Sequence, residues 1–287
     1  LFNIVRKFTQ HEQINFLLTN RIPRKALTQW MGWYSGIQSP WLTKLNIFIW
    51  RFFANDLDLS EAKKQSFPSL QACFTRELKD GARPLDMREE VVMSPCDAIV
   101  GQFGDIEGST VYQAKGFPYE LSELIPDADL QAKYRNGKYI TLRLTSSMYH
   151  RFHAPVACEI KEINYISGDT WNVNPVALKR VEKLYCRNER AVVDLKLSDA
   201  TRHITLVPVA AVLVASMRFL CLDFDLNLQY RGENHLPCDA SYQKGDEMGY
   251  FQHGSTIILF ASANFVFHES ISIGHRIKMG EPLMFAV

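Results

Sequence analysis

The chain has 287 residues, 47% of them hydrophobic and 22% charged, with a net charge of +1. That is the composition of an ordinary globular protein, long enough for one large domain or two smaller ones. The near-neutral balance offers no bulk attraction to a polyanion, so no nucleic-acid partner is expected.

The six cysteines (73, 96, 158, 186, 221 and 238) are scattered, with no Cys-x-x-Cys pair. Free thiols in a reducing compartment are expected, with neither a metal site nor a disulfide framework. No apolar stretch reaches the roughly 18 residues of a spanning helix, and no signal peptide is visible.

Residues 1–54 read as helices. Leu42, Leu45, Ile49 and Phe52 recur at spacings of three and four, and Trp41, Phe48, Trp50 and Phe53 widen the stripe. Residues 1–50 hold Arg6, Lys7, Arg21, Arg24, Lys25 and Lys44 against a single acid, Glu12, and four of the five tryptophans. Tryptophan mixed with Lys and Arg is the chemistry of a membrane interface. A helical layer packed on its own domain reads equally well, and the two readings are compatible.

Asp58 and Ser60 offer a helix cap, and Ser69 caps a short helix carrying Leu70, Phe74 and Leu78. The turn from Lys79 to Pro84 ends the helical part. From about residue 90 the pattern changes to short strands punctuated by glycine turns: 91–93, 99–103, 111–113, 139–144, 157–166, 191–197, 204–215, 256–260 and 265–267. Two modest helices interrupt them, Ser122 to Lys133 and Pro175 to Leu184. The expected fold is α+β, with an N-terminal helical, membrane-facing layer (1–88) followed by a compact, mostly antiparallel β body (89–287) that carries the catalysis.

Three stretches carry candidate chemistry. Gly254-Ser255-Thr256 opens an apolar strand, an unusual place for a hydroxyl. A serine after a glycine can attack the glycine's carbonyl, turning the peptide bond into an ester that breaks by β-elimination. Asp97 stands between two apolar strands, so its carboxylate is partly buried and needs a partner. His150 and His153 lie three apart in one loop, with no cluster of metal-ligating residues nearby, which favours acid–base work over metal binding. Asp97, His153 and Ser255 together suggest a charge relay. A relay serves hydrolysis and self-cleavage equally well. The serine, however, lacks the Gly-x-Ser-x-Gly elbow of many hydrolases. The turns at Ala114-Lys115-Gly116, at Gly168-Asp169 and at Trp171 to Asn174 read as plain hairpin turns, or as the border of a pocket.

Several segments, in order, resemble the bacterial phosphatidylserine decarboxylases: Trp41 to Leu45, Phe74-Thr-Arg-Glu-Leu-Lys-Asp-Gly-Ala-Arg-Pro-Leu-Asp86, Gln113-Ala-Lys-Gly116, Tyr149-His-Arg-Phe-His-Ala-Pro155, Arg187-Asn-Glu-Arg190, Lys244-Gly-Asp-Glu-Met-Gly249 and Gly254-Ser-Thr256. The resemblance implies a self-cleaving proenzyme that splits between Gly254 and Ser255 into a β chain, 1–254, and an α chain, 255–287. It implies a pyruvoyl cofactor made from Ser255, a maturation triad of Asp97, His153 and Ser255, and a role for His150 in decarboxylation.

By the same resemblance, the reaction is phosphatidylserine to phosphatidylethanolamine. The partners are a lipid in the bilayer, an anionic membrane surface and a second copy in a dimer, and the location is peripheral, on the cytoplasmic face. The chain departs from the family pattern at Ala98, Ala210, Ala215 and His253. Two other readings are a lipid-binding family member that no longer matures and a serine hydrolase using Asp97, His153 and Ser255.

Overall fold

The computed structural model describes residues 12–20, 22–54, 56–114, 117–213, 216–252 and 255–287. Helices α1 (Glu12–Asn20), α2 (Arg24–Ser35), α3 (Pro40–Phe53) and α4 (Leu70–Phe74) occupy the first part of the chain. Ser39 caps α3 by accepting the Leu42 N–H at 3.4 Å, with Pro40 in the first turn where no N–H is needed. Ser69 caps α4 by accepting the Ala72 N–H at 3.1 Å. Leu78 lies beyond that helix and bridges Ala62 instead.

The strands are β1 (Val91–Met93), β2 (Ala98–Asp105), β3 (Thr110–Ala114), β4 (Phe117–Glu120), β5 (Lys138–Leu144), β6 (Arg151–His153), β7 (Cys158–Ile166), β8 (Arg190–Leu195) and β9 (Ile204–Val209). They continue with β10 (Ser216–Phe219), β11 (Asp225–Asn227), β12 (His235–Tyr242), β13 (Glu247–Phe251), β14 (Ser255–Ala261), β15 (Phe265–Phe267), β16 (Arg276–Ile277) and β17 (Pro282–Ala286).

Eight of them form one antiparallel sheet in the order β12-β7-β8-β9-β14-β5-β2-β16. Both faces of this sheet are covered. Ile257, Leu259 and Ala261 point into a core shared with Phe152, Met217, Phe219 and Phe251 from the smaller sheet β11-β10-β13-β6. Ile258 and Phe260 point the other way, onto Leu121, Leu124, Tyr134 and Tyr185 of the short helices α5 (Leu121–Leu124), α6 (Ala128–Lys133) and α8 (Leu184–Arg187). A strand covered on both faces has no polar side to show, so β14 is apolar along most of its length and buried throughout.

The α+β architecture and most expected strands are present. Four details differ. The expected strand 204–215 ends at Val209, and Leu213 takes a positive φ of 68° in the turn beyond it. The helix expected from Ser122 to Lys133 is two short helices separated around Pro126. The helix expected from Pro175 to Leu184 stops at Leu178 as α7 (Pro175–Leu178), and Lys183, at φ 54°, opens α8. Cys221 and Cys238 form a disulfide between the loop after β10 and β12, correcting the expectation that every thiol is free. The two lie 17 apart in sequence, and only the return of β12 brings them together.

Glu189 is fully buried, with the Tyr165 hydroxyl donating to its Oε1. Burial pushes this carboxyl up from 4.5 to about 7, against the opposing effect of the Tyr165 bond. Between those two values the folded protein holds a proton that the unfolded chain has released. Stability from this group is therefore full below about pH 4.5 and is lost as the pH rises through 7. Glu189→Gln, neutral at every pH, should gain on the wild type by up to about 3 kcal/mol between pH 5 and 7.5. Thermal unfolding of both proteins across that range checks this; parallel curves would contradict it.

Candidate active site

Ser255 is the first residue of β14, paired with Leu144 of β5. Side chains alternate along a strand, so Ser255 shares a face with Ile257 and Leu259. Its hydroxyl therefore points toward the layer made by β6, β10 and β13. Ser255 is fully buried, and its Oγ has no hydrogen-bond partner among the described residues. Leaving a hydroxyl dry and unpaired costs about 1–3 kcal/mol, and native folds retain such groups mainly where they have work to do. Gly254 and His253 lie outside the described residues.

The histidine loop runs up to β6. The His150 carbonyl accepts the Phe251 N–H at 2.9 Å, which holds this residue beside the end of β13, four positions before Ser255. Its imidazole is fully buried, edge-on to Phe74 with ring centres 5.8 Å apart. Two arginines clasp the loop to the end of α4. Arg76 donates to the carbonyls of Ser147 and Met148 at 3.0 and 3.2 Å. Arg151 donates to the Thr75 carbonyl at 2.9 and 2.7 Å and pairs with Glu247 at 2.6 Å.

His153 has both ring nitrogens engaged. Nδ1 lies 2.8 Å from the Gly245 carbonyl, and Nε2 lies 2.9 Å from the Tyr149 hydroxyl. A carbonyl only accepts, so Nδ1 carries the proton; in the neutral ring Nε2 then accepts from Tyr149. Burial lowers the pKa of this ring, while the nearby Asp97 charge opposes the shift. Gly245 sits at φ +93°, the left-handed region that favours glycine, and so aims its carbonyl at the ring.

Asp97 is held differently from the expected relay. Arg83 grips both of its oxygens, at 2.8 and 2.6 Å, and the Met279 N–H donates to Oδ1 at 2.9 Å. The expected Asp97–His153 hydrogen bond is not formed; Gly245 orients the imidazole instead. Asp97 acts on His153 through its field, and through the chain, because the His153 N–H donates to the Pro95 carbonyl at 2.8 Å.

At the Leu144 end of β5 opens a cavity of about 320 Å³. Arg143 and Leu144, the cross-strand partners of Thr256 and Ser255, form part of its wall. Phe74 adds an aromatic surface, and Asn172 to Asn174 close another side. Of the two readings of the turn near residue 171, the pocket border is therefore the one observed. Met31 of α2 also contributes.

With that geometry in view, comparison with known proteins is decisive. The phosphatidylserine decarboxylase family profile matches residues 70–285. This chain belongs to that family. It is 32% identical over 271 residues to the phosphatidylserine decarboxylase proenzyme of Brevibacillus brevis, covering 93% of this chain and 95% of the relative. The proenzymes of Aliivibrio salmonicida and Pseudomonas aeruginosa are 34% and 33% identical, each over 91% of this chain and 93% of the relative.

Sequence reasoning missed Arg83, Tyr149, Arg143 and Gly245 as site residues. The first sits in a Gly-Ala-Arg-Pro run that reads as a turn, and its reach to Asp97 is a tertiary fact. Asp97 is only 8% exposed, so removing its arginine strands a charge. Arg83→Met should lower stability by about 3 kcal/mol or more, and adding Asp97→Asn should restore part of it. Chemical denaturation of the single and double variants measures both; a single variant as stable as wild type would remove the anchoring role.

Proposed function

We propose that this family member is a proenzyme that cuts itself between Gly254 and Ser255 and then decarboxylates phosphatidylserine to phosphatidylethanolamine. The observation that carries the reading is the Ser255 hydroxyl at the head of the central strand, buried and without a hydrogen-bond partner among the described residues.

In the cut, Ser255 Oγ adds to the carbonyl of residue 254, and the amide nitrogen leaves, giving an ester. Loss of the Cα proton of residue 255 forms a Cα–Cβ double bond and expels the carboxylate of residue 254. Water then replaces the nitrogen as ammonia, leaving a pyruvoyl group at position 255. His153 is the proton carrier assigned to these steps. Its neutral state, favoured by burial, suits it to accept a proton. Asp97 supplies the fixed negative charge that steadies the ring once it is protonated.

The pyruvoyl group supplies the electron sink for the pair released as carbon dioxide leaves. Position 255 fits such a group: it is enclosed, and its side chain makes no hydrogen bond among the described residues. Phe74, Leu144 and Val173 give the cavity at the Leu144 end of β5 an apolar lining. An apolar wall favours the loss of a carboxylate's charge. His150, buried against Phe74, is assigned the proton delivered to the substrate Cα.

The test is an intact mass. Wild type should give chains 1–254 and 255–287, the shorter one blocked at its N-terminus, and Ser255→Ala should stay whole. His153→Ala should accumulate uncut, whereas His150→Ala should cut yet lose about 10²–10⁴-fold in carbon dioxide release. An uncut wild type, incubated with anionic vesicles, would sink the proenzyme reading; cutting blocked by His150→Ala alone would reverse the two histidines.

The N-terminal helices are the surface proposed to meet the bilayer. Their buried residues are small and polar: Thr28 and Ser35 in α2, Thr43 in α3. Most of their large apolar residues face outward, among them Trp33 at 66%, Trp41 at 74% and Phe53 at 64% exposed, while Ile47 and Trp50 pack inward. Aromatics turned to solvent beside the exposed Lys25 and Lys44 suit the headgroup region. Among the described residues no helix is long and apolar enough to cross a membrane. The proposed position is peripheral, on the cytoplasmic face. Arg6, Lys7 and Arg21 of the basic arm lie outside the described residues. Replacing Trp33, Trp41, Phe48 and Phe53 by serine should weaken sedimentation with phosphatidylserine-containing vesicles by about tenfold or more while self-cleavage continues. Undiminished binding would return these helices to a packing role.

A further inference from the structure

Arg143 stands apart from the other buried and half-buried arginines. Arg76, Arg83, Arg151 and Arg190 all donate to carbonyls or carboxylates of the fold. Arg143 is half-buried on β5, yet its guanidinium makes no hydrogen bond or ion pair among the described residues. A cation taken partly out of water without a partner is costly. The cost makes sense where an anion arrives from outside. Its place narrows the choice: Arg143 pairs across the ladder with Thr256, next in sequence to the cleavage position though on the other face of the sheet, and it lines a cavity whose wall also includes Leu144, the cross-strand partner of Ser255.

Resting on the decarboxylase reading, we propose that Arg143 reads the phosphodiester of the lipid substrate and so sets the headgroup's amine at position 255. A phosphatidylserine headgroup carries two anions, a carboxylate on Cα and a phosphodiester three bonds from it. A guanidinium on the carboxylate would stabilise the charge that must disappear as carbon dioxide leaves, and would slow the step. On the phosphodiester it acts alike on ground state and transition state. The planar fork also suits two phosphate oxygens at once. The non-phosphate walls, Phe74, Leu144 and Val173, remain for the part of the headgroup that loses its charge.

The consequence is a specific kinetic split. In the matured enzyme, Arg143→Gln should raise KM for phosphatidylserine in mixed micelles by about tenfold or more, with the loss falling on KM rather than kcat. Arg143→Lys, keeping the charge without the fork, should fall between. Calorimetry with glycerophosphoserine, and with an O-alkyl serine ether that lacks the phosphate, gives a readout independent of turnover. Wild type should prefer the phosphate compound, and Arg143→Gln should bind both alike. A retained preference, or a fall in kcat at unchanged KM, would overturn the assignment to phosphate. Should wild type bind glycerophosphoserine through Arg143 but release no carbon dioxide, the anion site would stand and the decarboxylase reading would fall.

Discussion

The first residue of the most enclosed strand is the residue proposed to be cut free. β14 is laddered on both sides, by β5 and β9, and packed on both faces. Such a strand cannot be bent toward a partner, so the groups proposed to act on Ser255 must come to it. The fold supplies them from the layer beneath, through β6 and β13. The same enclosure governs the fate of the two chains after cutting. Residues 255–287 provide β14 in the middle of the large sheet, β16 at its edge, and β17 between β1 and β15. Ile257, Leu259, Ile277, Leu283 and Met284 are core residues. The backbone bond before Ser255 is therefore not what keeps the short chain in place, and its loss leaves the ladders intact.

Guanidinium groups carry much of the remaining organisation. Arg76 and Arg151 tie the end of α4 to the histidine loop from opposite directions, each by way of main-chain carbonyls. Arg83 fixes Asp97, and the Met279 amide, from the short-chain segment, completes that carboxylate's shell. A candidate site drawn from residues 73–83, 97, 147–153, 245–252 and 255 needs long, always-charged donors to span its gaps. Arginine provides them with several hydrogen bonds per side chain. Arg143 uses the same chemistry with one end left open.

Local pattern carried the strands well and the relay less well. β5, β7, β8 and β14 are runs of β-branched and aromatic residues between turn signals, and they read directly. β10, β11 and β13 are only three to five residues long, β12 is longer but half-exposed and polar in places, and their pairing is set by distant strands. Ser255, His150 and His153 could be singled out because their surroundings are chemically odd along the chain itself. The hydrogen-bond partners could not. Asp97 was expected to need a partner, and of the usual candidates, a His, an Arg or amides, it has an Arg and an amide. Choosing among them required knowing that residue 83 folds back across residue 97. Glu189 is the same lesson inside the core: nothing in Asn-Glu-Arg announces a carboxyl that burial pushes to about 7.

The inverted helices and the cavity are linked through one short segment. Thr28 of α2 accepts the Leu213 N–H at 2.9 Å, and Met31 of the same helix joins Val212 and Leu213 in the cavity wall. Arg24, at the start of α2, pairs with Asp169 at 2.7 Å and lies 3.7 Å over the Trp171 ring, beside the residues 172–174 that close another side. The helix whose tryptophans face outward is thus also a wall of the chamber at the Leu144 end of β5. A lipid headgroup lifted from a bilayer under α2 would travel the shortest path to that chamber, with its acyl chains still among the exposed aromatics. Small polar residues on the inner face of α2 are what such a wall requires. They let the helix lie close to the body through specific hydrogen bonds and leave its apolar surface facing outward.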